Sequence, residues 1–175
     1  YSYVPFNLFS FDKSKSKKIS YAASFGNDNL SEYGPELIVK TKKLAQNFSG
    51  ISVRESNGVQ LVKSEWGQDA LHHVDPTLLV DVADYSTLIE NSSLRLKSAP
   101  ENGLFSYVLD TAESKQSIAE NVSTALDLEL FKVIDSDENS GQPMPPVEQW
   151  LKSFRDSRYV VTDSFHGTVF SIIFN

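Results

Sequence analysis

Runs with strand character alternate along this chain with segments of helical apolar spacing, and that order restricts it to α/β folds in which helices flank a parallel sheet. Ile19-Ser20-Tyr21-Ala22-Ala23-Ser24-Phe25-Gly26 reads as a first strand that ends in a Gly-Asn-Asp turn. Pro35 opens a helix with Leu37, Ile38, Thr41, Leu44, Ala45 and Phe48 on one face, closed before Gly50. Ile51-Ser52-Val53-Arg54 is a short strand and Asn57 to Trp66 a helix ending at Gly67. His73-Val74-Asp75 then leads into a Pro76 turn and Leu78-Leu79-Val80.

A polar stretch from Asn91 to Asn102 interrupts the alternation and reads as a linker. It divides the chain into two expected Rossmann-like domains, residues 1–98 and 99–175. In the second, Leu104 to Asp110 is a strand, Ala112 to Leu126 a helix and Phe131 to Ile134 a strand, followed by a charged loop over Asp135–Met144. Pro145-Pro146 starts a helix with Val147, Trp150, Leu151 and Phe154 at i, i+3, i+4 and i+7, Tyr159-Val160-Val161-Thr162 is the next strand, and a helix begins at Phe165. The chain opens at Tyr1 without an initiator Met and stops inside the apolar run Thr168–Asn175, so both ends are expected to be cut. Two α/β units with one linker predict a cleft, and open α/β sheets bind ligands at the carboxyl ends of their strands.

Composition excludes several classes of function. With 40% hydrophobic and 22% charged residues the chain can build a core. It has no Cys, which removes disulfides, thiolate nucleophiles and Cys-ligated zinc from these residues and agrees with a reducing compartment; a cytoplasmic location is expected. A net charge of -7 argues against nucleic acid as partner, because neutralising phosphates takes a surplus of Lys and Arg. No apolar run reaches bilayer-spanning length, so membrane association is expected to be peripheral at most. Repeats of solenoid period and glycine-rich phosphate loops are both missing, and no cofactor is expected.

The residues at strand ends carry the chemistry. In Thr162-Asp163-Ser164-Phe165-His166-Gly167-Thr168 a buried strand passes at once into a helix, with Ser164 as cap and His166 two residues later. A helix start offers free N–H groups and the positive end of the dipole, so it attracts phosphate or carboxylate, and His166 would stand beside that anion. The alternative is that Asp163 and Ser164 only cap the helix and His166 packs. Arg54 closes a strand where a guanidinium could hold an anion with two parallel hydrogen bonds; the alternative is pairing with Glu55 or Asp75. His72-His73 with Asp75 makes a poor metal site, since adjacent strand residues point to opposite faces, and no metal is expected. Trp66 and Trp150 fall at helical apolar positions and are assigned to the core.

Taken in order and spacing, Ile19–Gly26, Ile51-Ser52-Val53-Arg54-Glu55, Asp75-Pro76-Thr77-Leu78-Leu79, Pro146-Val147-Glu148-Gln149-Trp150-Leu151 and Thr162–Thr168 resemble the polysaccharide pyruvyl transferase family, over nearly all of the chain from Lys18 to Asn175. The resemblance implies a two-domain fold of the glycosyltransferase-B type, phosphoenolpyruvate as donor, and a saccharide acceptor, lipid-linked or free. It places the family's Arg and His on Arg54 and His166. Ser164, Phe165 and Gly167 at the helix start, with Ser24 and Gly26 after the first strand, are then the expected donor-binding residues. One departure stands out: where many relatives carry Arg-Leu before the His, this chain has Ser164-Phe165. A nucleotide-sugar glycosyltransferase and a non-catalytic sugar- or anion-binding module remain the alternatives at this level.

Overall fold

The structure, a computed structural model, describes residues 8, 16–110, 112–133 and 145–175. The loop expected over Asp135–Met144 lies outside the described residues, as does Ile134. The chain divides into two compact units, Tyr1–Leu79 and Val80–Asn175, each built on a three-stranded, all-parallel sheet with helices, so the chain is α/β.

In the first unit the order along the chain is β1 (Lys18–Ala23), α1 (Pro35–Ala45), β2 (Phe48–Val53), α2 (Ser56–Leu61), a π-helical turn (Val62–Trp66), β3 (Leu71–His72) and a 3-10 turn (Pro76–Leu79). The strands lie in the order β1-β2-β3. Helix α1 stops at Ala45, and Phe48, expected on its apolar face, belongs to β2 instead, together with Gly50, before which the helix was expected to close. Phe48 falls four residues after Leu44, so it satisfies the helical spacing although its backbone is already extended; periodicity cannot separate the two. Gly67, with φ +72, ends the π-helical turn as the expected stop. Ala45, Ile51, Val53, Val62 and Trp66 form the core, and Trp66 donates its indole N–H to Thr41 Oγ1 at 3.3 Å.

Strand β1 is irregular near its end: the register shifts between Ser20 and Ala23, and Ala22 has φ +47. The buried Ser52 of β2 repairs the ladder there. Its hydroxyl accepts the Ala22 N–H at 2.8 Å and donates to the Ser20 carbonyl at 3.1 Å, so the bulge leaves that amide paired.

The second unit starts with α3 (Val82–Glu90), which the strand and helix pattern does not anticipate. Its signal was present: Asp81 caps it by accepting from Ala83 N at 2.8 Å, and Val82, Tyr85 and Ile89 recur at helical spacing. Then follow β4 (Gly103–Tyr107), α4 (Glu113–Leu126), β5 (Glu129–Phe131), α5 (Val147–Asp156), β6 (Tyr159–Thr162) and α6 (Phe165–Ile173). The strands lie in the order β5-β4-β6. The central strand β4 is buried on both faces, the pattern of an interior parallel strand. One face packs Phe105 with Ile89, Leu151, Phe154 and Phe170, and the other packs Leu104 with Ala119 and Leu128. Burying one such large side chain contributes about 1.5–3 kcal/mol.

Trp150 crosses Phe154 and Phe170 edge to face, and both tryptophans pack with their cores as expected. The polar stretch after α3 also docks on this unit. Leu96 joins the aromatic core, and Lys97 exchanges two hydrogen bonds with Gln149, N–H to Oε1 at 2.6 Å and Nε2 to the carbonyl at 3.1 Å. The division by contacts therefore precedes the 98/99 boundary taken from composition. Among the described residues no helix is long and apolar enough to cross a membrane.

Candidate functional site

Each unit gathers polar side chains at the carboxyl end of its sheet. In the first, the β1–β2 ladder extends past the strands through Arg54 N–H to Ala23 carbonyl at 3.1 Å, and His73 N–H donates to Val53 carbonyl at 3.0 Å. Arg54 thus leaves the sheet on a fixed backbone. Its Nη1 donates to Asp75 Oδ2 at 2.7 Å and its Nε to Glu55 Oε1 at 3.1 Å. Both pairings that the sequence left open occur together.

Asp75 is 5% exposed and held by its own turn: Oδ1 accepts Thr77 N–H at 3.0 Å and Thr77 Oγ1 at 2.7 Å, the turn expected of Asp-Pro-Thr. Burial works against the charge of Arg54, but the bonds to Asp75 and Glu55 outweigh it and raise the guanidinium's pKa. Counting formal charges, Arg54, Glu55 and Asp75 sum to one negative charge.

Ser24 and Gly26 sit in the same network. Ser24 Oγ donates to Glu55 Oε1 at 2.6 Å and accepts the Gly26 N–H at 3.0 Å, and Gly26 takes φ +74, a conformation that favours glycine. Glu55 occupies the N-cap of α2 without capping it; its Oε1 serves Ser24 and Arg54, while Oε2 is buried with no hydrogen-bond partner among the described residues. The two neighbouring histidines diverge, as strand geometry requires. His72 Nε2 lies 3.0 Å from the Arg54 carbonyl, and the His73 ring packs against Tyr21 with centroids 5.3 Å apart. No group of three or more His, Asp or Glu suited to a metal ion occurs among the described residues.

The second unit builds its edge from the exits of β4 and β6. Thr162 Oγ1 donates to the Tyr107 carbonyl at 2.7 Å and accepts Ser164 N–H at 3.1 Å, which turns the chain sharply out of the strand. Ser164, 9% exposed, caps α6 as expected: its Oγ accepts Gly167 N–H at 3.3 Å. Gly167 is a glycine for want of space, since a Cβ there would fall 2.2 Å from Thr162 Oγ1. His166 is half-buried in the first turn, its ring 5.2 Å from that of Phe165 at 83°.

The cap falls to Ser164 alone, and Asp163 ties two segments of the chain together. Its Oδ1 accepts Leu109 N–H at 2.7 Å and its Oδ2 accepts Asp110 N–H at 3.1 Å, so it staples the loop leaving β4 to the strand end that precedes His166. The Leu109 N–H holds the Asp163 carboxyl below the usual carboxylate range; desolvation opposes this, while the Asp110 N–H and Lys115 add to it. Lys115 pairs with Asp110 at 2.7 Å and approaches Asp163 at 3.8 Å, and its bond to Asp110 lowers that carboxyl as well. Neither Asp110 nor Lys115 was a candidate from sequence, because the staple joins residues 53 and 54 positions apart with no local signature.

A family model described as polysaccharide pyruvyl transferase matches residues 1–175, the whole chain. No curated protein and no solved structure matches it at a significant level.

Proposed function

Since the chain belongs to the polysaccharide pyruvyl transferase family, we propose that it transfers a pyruvyl group from phosphoenolpyruvate to a pair of sugar hydroxyls, forming a cyclic ketal in surface-polysaccharide synthesis. The observation that carries this reading is a half-buried imidazole, His166, in the first turn of the capped helix α6, directly after a parallel strand. Such a helix start favours the anionic groups of the donor, and His is the side chain best suited to give up a proton near neutral pH.

The chemistry balances with these groups. Protonated His166 gives its proton to the donor's methylene carbon, which becomes the methyl group, and the adjacent carbon accepts one sugar hydroxyl. The bond from that carbon to the phosphate oxygen then breaks, and the second hydroxyl adds in its place. Of the two hydroxyl protons released, one returns to His166 and the other leaves on phosphate. Arg54, its fork oriented by Asp75 and Glu55, is assigned to hold the donor in place rather than to neutralise it, since the three side chains together carry one negative charge. Ser164 and Gly167 shape the helix start on which the donor rests, and Ser24 and Gly26 are assigned to the donor side of the first unit.

In this reading the two units are the halves of a glycosyltransferase-B-type fold, the enzyme works in the cytoplasm, and the acceptor is a saccharide, lipid-linked or free. Phosphate release from phosphoenolpyruvate in the presence of acceptor, compared with calorimetric titration by phosphoenolpyruvate and by a nucleotide sugar, tests it. Binding of the nucleotide sugar with no response to phosphoenolpyruvate would move the protein to glycosyl transfer.

A further inference from the structure

The strand order β5-β4-β6 makes the second unit reverse direction at β4. The chain leaves β4 for β5 through α4, on the face where Leu104 meets Ala119, and returns to β6 through α5, on the face where Phe105 meets Leu151 and Phe154. Successive crossovers therefore part to opposite faces between the exits of β4 and β6, and in open α/β sheets ligands lie in the crevice at such a point. The strand register ends there at Tyr107 and Thr162. Past that pair a side chain joins the two exits, the Asp163 carboxylate that accepts the Leu109 and Asp110 N–H groups.

The loop leaving β4 is held from its other side as well. Gln116 of α4 donates from Nε2 to the Asp110 carbonyl at 2.8 Å and to the Val108 carbonyl at 3.4 Å, and its Oε1 accepts from Lys132 Nζ at 3.0 Å. Side chains from two different elements thus take up two amides and two carbonyls of Val108–Asp110, although Leu109 in its middle is 58% exposed. Burial does not require these bonds, because an exposed loop can hydrogen-bond to water, and fixing it costs conformational entropy. Such fixation is expected where a site depends on the placement of its groups to a fraction of an ångström.

We infer that Asp163 is a positioning residue for the reaction: it sets the first turn of α6, and His166 within it, against the loop after β4 at the crevice. The segment that transmits this placement is stiff. Thr162 Oγ1 is bonded to the Tyr107 carbonyl and the Ser164 N–H, and Ser164 Oγ to the Gly167 N–H, so a displacement at residue 163 is carried into the turn that holds His166. The inference rests on the proposed proton transfer by His166 for its catalytic meaning, whereas the link between the two residues is testable without a donor.

Asp163→Asn keeps one of the two acceptors, and Gln116→Ala loosens the same loop from its other side and carries the same readouts should Asp163→Asn fail to fold. Phosphate release from phosphoenolpyruvate, measured on the whole chain well below the melting transition, should show kcat lowered about tenfold or more in Asp163→Asn with KM for the donor unchanged. In the His166→Gln background Asp163→Asn should have no further effect, because it acts through the imidazole. A second readout needs no turnover. The chain has three histidines, so the His166 ring signal in a proton–carbon NMR spectrum is the one that disappears in His166→Gln, and with all rings deprotonated it should move in Asp163→Asn. Wild-type kcat in Asp163→Asn, a fall confined to donor affinity, an equal further loss in the His166→Gln background, or a His166 signal at its wild-type position would each overturn the inference. A displaced signal in a chain whose wild type releases no phosphate from phosphoenolpyruvate would uphold the link between Asp163 and His166 while rejecting pyruvyl transfer.

Discussion

Asp75 Oδ2 meets Arg54 Nη1 at 2.7 Å, with the carboxylate almost wholly enclosed and 20% of the arginine side chain still exposed. The same carboxylate closes its own turn through Thr77, so it serves as anchor and counter-ion at once. Breaking a fully buried pair from one side costs about 3–5 kcal/mol; the partial exposure of Arg54 brings the expected loss for Asp75→Ala to about 2–3 kcal/mol. Asp75→Asn, which can still accept from Thr77, should lose less. Urea unfolding of wild type and both variants measures the differences, and wild-type stability in Asp75→Ala would show that the pair is dispensable.

If Arg54 holds the donor as proposed, Arg54→Ala should weaken binding of phosphoenolpyruvate more than it slows the bound complex, because that interaction would be with charge already present in the donor. Arg54→Lys keeps the charge without the fork and should recover part of the affinity. Steady-state kinetics over donor concentration separate the two effects. An unchanged KM for the donor in the alanine variant would assign Arg54 to structure alone.

His166→Gln keeps hydrogen-bonding capacity and approximate size but cannot deliver a proton. Turnover should fall by about two to four orders of magnitude with little change in melting temperature. Near-normal turnover in the variant would return His166 to a packing role.

The staple made by Asp163 predicts a pH dependence of stability. Its carboxyl is held below the usual range in the folded state, so the stabilisation is present above the unfolded carboxylate pKa, about 3.9, and is lost as pH falls through the lower folded value. Asp163→Asn should cost about 1 kcal/mol at neutral pH, since an amide cannot accept from both Leu109 and Asp110. It should also flatten the loss of stability on acidification; the slope left over would reflect other depressed carboxyls such as Asp110 and Asp156. Urea titrations between neutral and acid pH give both quantities, and identical wild-type and variant slopes would refute the assignment.

Gly167→Ala sets a methyl group against Thr162, whose hydroxyl is fixed by Tyr107 and Ser164. Overpacking of this kind should destabilise by about 1–3 kcal/mol. Thr162→Ala in the same chain removes the nearest atom and should restore part of the loss, a non-additivity that a double-mutant cycle detects. Strict additivity would mean that the clash is relieved elsewhere.

What was legible in the sequence is what neighbouring residues decide among themselves. The strand Tyr159–Thr162, the cap at Ser164, the stop at Gly67, the turn at Asp75 and the apolar faces of α4 and α5 all follow from interactions spanning a few positions. The α/β order therefore emerged from periodicity alone, and with it the places where candidate residues stand. Even local reading failed where two periods agree, as at Phe48, which suits both a helix face and a strand.

Tertiary structure decided the partners. Whether Arg54 would meet Glu55 or Asp75 depended on the turn after β3 reaching the end of β2, and it meets both. That Ser52 would mend a bulge 30 residues away, or Asp163 staple a loop 54 residues earlier, has no trace in spacing. Hydrogen bonds and ion pairs are fixed by distances of about 3 Å, and a parallel sheet brings such distances about only by carrying the chain through a helix between strands. The sequence between two partners is then spent on the crossover and says nothing of what waits at its far end.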